Sequence, residues 1–298
     1  MLPNLHWAKF VDTTFQTAFR LAGIEYDTSD GLPTTKYEET QSDVLSALVN
    51  HYPEIPRIKV EGKSACSGIF LRPRIVLTDS HCVGNSTIFD IKVKLRQGLD
   101  QENDAVYDIR STMSLICSDD SIECAMTLLL LKNSAEGAKM SNLSQNNDGL
   151  PQIGQSLSLI SWDTSVNDDV SGKEKKGLLR SVNLTVELSS MDCAKKLNVT
   201  LGDGEIICAK ITSGTKLPKK IMGGPVMDSN GTVVGIAAFP KKLDNGEVLI
   251  VSTAVATQRE SINDLRQLME EHFSLITTTP SSYLSLTPES VTKTESTE

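Results

Sequence analysis

Aromatic residues make up only 5% of the 298-residue chain, basic runs are missing, and the apolar runs are short, as in TLLLL at 127–131. That run has the length of one strand and falls far short of the ~18 apolar residues of a membrane-spanning helix. The lysines come in scattered pairs, Lys195-Lys196 and Lys219-Lys220, under a net charge of -9 and a pI near 5.1. No basic field is available to hold phosphates, which excludes nucleic acid as a partner. The histidines, His6, His51, His81 and His272, show no metal-ligand spacing, so neither a metal nor a cofactor is expected. The opening MLPNLHWAKFVDTTF lacks the basic start and following apolar run of a secretory leader, and the compartment has to be read from other features.

Those features are six cysteines and five Asn-x-Ser/Thr sequons, at Asn85, Asn142, Asn183, Asn198 and Asn230. An even cysteine count with glycosylation acceptors predicts a secreted, extracellular glycoprotein, although any one sequon can also be an unused tripeptide. The length is enough for one large all-β domain or two small ones.

Residues 1–53 read as an N-terminal extension in which Trp7, Phe10, Val11, Phe15 and Phe19 recur at helical spacing, an amphipathic segment suited to covering an apolar patch. From 54 to 272 short apolar runs alternate with Gly, Pro, Asn and Asp, as in SGIFL, RIVLTDS, SLSLISW, LLRSVNLTVEL, GTVVGIAAF and VLIVSTAV. This pattern predicts a β-barrel or sandwich, with an Asn-Gly hairpin at 230–231. RESINDLRQLMEEHF predicts a closing helix with Ser261 as N-cap and Ile262, Leu265, Leu268 and Met269 on one face. In 273–298, 13 of the 25 residues from Ser274 onward are Ser or Thr, a composition that cannot build a core and reads as a disordered or O-glycosylated tail.

SACSGIFLRPRIVLTDSHCVG at 64–84 resembles the segment around the catalytic histidine of chymotrypsin-like serine proteases: a Cys, a small-residue strand, Pro-Arg-aliphatic-Leu-Thr, two residues, then His-Cys. MDCAKKLNVTLGDGEIICAK at 191–210, MGGPV and GTVVGIAAF extend the resemblance over roughly 54–272. It implies an all-β fold of two six-stranded antiparallel barrels with a C-terminal helix and a cleft between the barrels. It also implies the disulfides Cys66–Cys82 and Cys193–Cys208, leaving Cys117 and Cys124 to each other.

Catalysis on this fold needs a hydroxyl nucleophile, an imidazole base and a carboxylate that orients the imidazole. The resemblance places His81 at the histidine position. AMTLLLLKN aligns Ala125 with the Asp, and a two-residue slip would put Glu123 there with the same face inward. The family's Gly-Asp-Ser-Gly-Gly-Pro loop aligns with Lys220, Ile221, Met222, Gly223, Gly224 and Pro225. A thioether has no proton to give up and forms no acyl intermediate, so Met222 removes covalent catalysis. Lys220 stands where the family has the glycine of the oxyanion hole. Ile221 stands where it has the Asp that pairs with the N-terminus freed by activation, and no Arg/Lys-Ile-Val-Gly-Gly sequence occurs before Ser64. Restoring a hydroxyl at 222 alone is therefore expected to recover little. The substrate-binding Ser-Trp-Gly strand becomes Ala238, Phe239 and Pro240, and proline donates no N–H. The specificity position falls near Lys216.

The sequence thus predicts a secreted, non-catalytic serine protease homologue acting by protein binding, a regulator or decoy in an extracellular proteolytic or immune pathway. Its expected partner is an extracellular protein such as an active protease or a protease substrate. The alternatives are a residual or unconventional hydrolase, and a mucin-like surface protein in which the tail matters most.

Overall fold

The computed structural model describes residues 52, 55–84, 86–95, 104–115, 126–145, 149–163, 178–199, 201, 205–212, 217–218 and 220–278. The aromatic N-terminal segment, most of the Ser/Thr-rich tail, Asn85, Cys117, Glu123, Cys124, Ala125 and Lys216 lie outside these residues.

The first half forms one antiparallel sheet from β1 (Arg57–Val60), β2 (Lys63–Ser67), β3 (Ile69–Arg72), β4 (Ile75–Asp79), β5 (Ile91–Leu95), β6 (Ala105–Leu115) and β7 (Met126–Leu131), in the order β2-β1-β5-β6-β7-β4-β3. The second half closes into a six-stranded barrel from β8 (Ser156–Asp163), β9 (Leu178–Leu188), β10 (Ile206–Ile211), β11 (Pro225–Met227), β12 (Val233–Lys242) and β13 (Val248–Ala254). The described helices are α1 (Ser80–Val83), α2 (Ser190–Leu197) and α3 (Val255–Thr278). The first sheet counts seven strands rather than the expected six because the chain breaks at Gly68 between β2 and β3. These are its two outermost strands, so that residue alone joins the edges of the sheet. A Cβ at Gly68 would meet Val76 Cγ1 at 2.9 Å and the Leu77 carbonyl at 3.0 Å, which is why the corner takes a residue without one.

The apolar runs are continuous rather than alternating because the central strands are buried on both faces. In β7 every residue is buried. Leu129 and Leu131 fill the first barrel with Ile58, Phe70, Val76 and Val93, while Met126, Leu128 and Leu130 face a second core between the barrels. β8 divides likewise: Leu157 and Leu159 point into the second barrel, and Ile160 and Trp162 into the shared core. Trp162 fixes that core to the incoming chain, since its indole N–H donates to the Ile55 carbonyl at 2.9 Å and the Arg57 guanidinium lies 5.7 Å from its ring centroid.

The hairpin at 230–231 is present between β11 and β12, with Asp228 Oδ1 accepting the Asn230 and Thr232 amides and Gly231 at φ +76°. The closing helix is longer than expected. It begins at Val255, directly from β13, so Ser261 lies inside α3 and is not its N-cap. Val255 and Ala256 are already buried, which starts the helix earlier than the polar signal at 261 suggests. Ile262 and Met269 bury into the shared core with Leu265 partly covered, whereas Leu268 is 41% exposed. Cys66–Cys82 and Cys193–Cys208 are disulfide-bonded, with Cα–Cα separations of 5.8 and 6.1 Å. The first ties α1 to β2 and the second ties α2 to β10.

Candidate functional site

β4 delivers His81 to the site. Its last residue, Asp79, is extended and caps α1: Oδ1 accepts the His81 amide at 2.9 Å, and the same oxygen lies 2.9 Å from His81 Nδ1. Asp79 is fully buried, while the imidazole keeps 28% of its side-chain surface. Beneath α1, the hydroxyls of Ser80 and Ser114 both meet Thr127 Oγ1, at 2.8 and 2.7 Å, so a buried hydroxyl on β7 supports the turn from two sides.

Burial pulls the His81 imidazole down, but the hydrogen bond and charge of Asp79 outweigh it and leave the ring above its ordinary value. Burial likewise pushes the Asp79 carboxyl up, opposed by His81. In both cases the folded chain binds a proton more tightly than the unfolded chain. The pair's contribution to stability is therefore present below an unfolded histidine's pKa of about 6.5 and is lost as the pH rises through the raised folded value. Melting temperatures of the wild type and Asp79→Asn should show this: the advantage of the wild type shrinks between about pH 6 and pH 8, and a constant gap would refute the assignment.

Met222 arrives on the turn from Lys220 to Gly224. Ser67 N–H donates to the Met222 carbonyl at 3.0 Å, Gly223 N–H to Ala237 O at 2.8 Å, and Ala237 N–H to Gly224 O at 2.8 Å. The Met222 side chain packs against the apolar cluster that holds Cys66, Cys82 and Val83, beside α1. Gly223 has φ +73°, and a Cβ there would come within 2.1 Å of the Ser67 carbonyl and 2.3 Å of Thr78 Oγ1. The Lys220 carbonyl accepts the Ser161 hydroxyl at 2.9 Å. That hydroxyl lies 3.2 Å from Ser67 Oγ, which in turn takes the Trp162 amide at 2.9 Å. The loop is thus stitched to both barrels through backbone and hydroxyl groups.

Ile221 is 2% exposed and packs in the second barrel with Leu159, Val226 and Ala237. An apolar anchor holds the loop at this point, so no charged partner has to arrive. Ala238 and Phe239 are buried, Phe239 against the Cys193–Cys208 disulfide, Leu197 and Val251. Pro240 is exposed within β12, opposite Ile250 of β13. The groove on the second barrel lined by Leu150, Ile153, Val186, Leu188 and Ile206 contains neither His81 nor Met222 and is separate from this site.

The trypsin family model matches residues 46–262. The chain belongs to the trypsin family. No curated protein matches it in sequence. Among solved structures it is similar to the scabies mite inactivated protease paralogue S-I1, with TM-score 0.60 and 22% identity, covering 74% of this chain and 97% of that one. It is similar also to the mite inactivated protease paralogue S-D1, with TM-score 0.59 and 18% identity, covering 74% and 94%. Neuropsin, a serine protease expressed in the limbic system of mouse brain, matches with TM-score 0.57 and 20% identity, covering 72% and 94%. At these identities the likeness shows the chymotrypsin-like fold.

In this trypsin-family chain Met222 packs against the cluster that holds Cys82, the residue after His81, the Lys220 carbonyl is bonded to Ser161 of β8, and Ile221 is buried in the second barrel, while Ala125 and Glu123 lie outside the described residues. Asp79 is the residue that sequence reasoning missed. Its signal in the sequence is an acidic residue two positions before the histidine at a strand end. Of the sequon asparagines, Asn142, Asn183, Asn198 and Asn230 are exposed. No helix among the described residues is long and apolar enough to cross a membrane.

Proposed function

We propose that this trypsin-family protein is a secreted pseudoprotease that acts by binding another extracellular protein, with residues 54–272 as the folded unit between an N-terminal extension and a Ser/Thr-rich tail. The observation that carries the reading is Met222, a proton-free thioether on a loop that keeps the Gly-Gly-Pro sequence and packs against the cluster holding Cys82, the residue after His81. Pro240 supports it from the substrate side, because a peptide added along that strand loses a main-chain donor. The resemblance to two mite proteins named as inactivated protease paralogues agrees with it.

The partner is an active protease or a protease substrate, engaged without being cut. Affinity capture from the fluid that contains the protein should return a partner that stays at full length during prolonged incubation with the purified chain, and cleavage of that partner would refute the reading. Expression through a eukaryotic secretory pathway should also give a product heavier than 32.4 kDa that N-glycosidase shifts down, because four sequon asparagines are exposed. An unshifted band removes the glycosylation support for secretion. Under the same conditions Cys117 and Cys124 should map to one disulfide-linked peptide.

A further inference from the structure

Asp79 does more than a helix cap requires. A cap needs one acceptor oxygen for an orphan amide, and serine, threonine or asparagine supplies it about as well without a charge. Here the cap is a carboxylate with 0% exposed side-chain surface, and its Oδ2 has no hydrogen-bond partner among the described residues. Burying a carboxylate is costly unless a cation or a set of donors compensates. A compensating group is His81, whose ring nitrogen and backbone amide share Oδ1 at 2.9 Å each. Where Nδ1 is held by a carboxylate, the ring is fixed in orientation and tautomer, and its chemistry is directed through Nε2.

We propose that Asp79 is the positioning carboxylate of His81, holding the imidazole as a competent base toward position 222 from two residues away in sequence. This rests on the placement of Met222 at the nucleophile position given above, and it removes one of the three reasons for expecting no recovery there. The other two, Lys220 and Ile221, concern the oxyanion site.

A thiol at 222 reads this out without any oxyanion site. In Met222→Cys the thiol proton passes to His81 Nε2. The thiolate then attacks the methylene carbon of iodoacetamide, forming a C–S bond as the C–I bond breaks and iodide leaves. An imidazolium held by Asp79 lowers the thiol's titration point below its ordinary value of about 8.5. Alkylation at pH 6, followed on the peptide carrying residue 222, should be on the order of tenfold faster in Met222→Cys than in Met222→Cys combined with Asp79→Asn or with Asp79→Ser. Both Asp79 variants keep a capping residue for α1, and a protected Nδ1 proton resonance of His81 in the unaltered chain gives the same answer without any substitution. Equal rates and an ordinary thiol titration in all three proteins, or an unprotected Nδ1 proton, would overturn the proposal and leave the binding reading intact. Hydrolysis by the wild type would overturn the binding reading instead.

Discussion

Ile221→Asp, which restores the residue that family resemblance places here, is expected to destabilise the protein by at least about 4 kcal/mol at pH 7. Ile221 is 2% exposed among Leu159, Val226 and Ala237, and its burial alone is worth about 2 kcal/mol. The carboxylate that replaces it loses that burial and also leaves water for wholly apolar neighbours. The introduced acid is held above its unfolded pKa, so its penalty should fade as the pH drops toward 4. Ile221→Leu, of equal volume, should cost under about 1.5 kcal/mol. Denaturant melts at pH 7 and pH 4.5 check both points, and an Asp variant as stable as the wild type at pH 7 would show that a cation does reach this position.

Gly223→Ala is the second large effect, at least about 3 kcal/mol, from a single methyl group. Its φ of +73° accounts for only about 1 kcal/mol of this. The rest follows from contact with the Ser67 carbonyl and Thr78 Oγ1 at 2.1 and 2.3 Å, atoms of the first barrel that cannot retreat without opening the junction. Gly231 is the internal control. It has φ +76° but nothing within 4 Å of its Cβ, so Gly231→Ala should cost about 1 kcal/mol. Thermal melts of the two variants separate backbone strain from steric overlap, and equal losses would contradict the packing described for the junction.

The two residues also show what could be read before the structure. Gly-Gly-Pro after Met222 and His81 before Cys82 were legible because the trypsin-family turn needs those residue types, and the strand runs were legible because both faces of β4, β7 and β8 are buried. The consequence of Ile221 was only half legible: the loss of a charge could be read, whereas its replacement by an apolar anchor depends on what the second barrel places around it. Asp79 was hidden for another reason. An Asp at a strand end before a short helix is an ordinary cap, and only the 2.9 Å contact with Nδ1, combined with complete burial, distinguishes an orienting carboxylate from a cap. The start of α3 at Val255 was missed because an apolar start buried against the barrels outweighs the polar cap signal at Ser261. The break at Gly68 was missed because the two pieces it separates carry the pattern of one strand.

With Met222 in place of a hydroxyl, the purified wild-type protein should stay inert when it is treated with a fluorophosphonate probe beside an active trypsin-family protease and incubated with a broad peptide library over the same period. No labelled residue and no cleaved peptide is expected at any pH from 6 to 9, before or after exposure to an activating protease. A stoichiometric adduct on any side chain of the chain, abolished by prior reaction with a serine protease inhibitor, would contradict it.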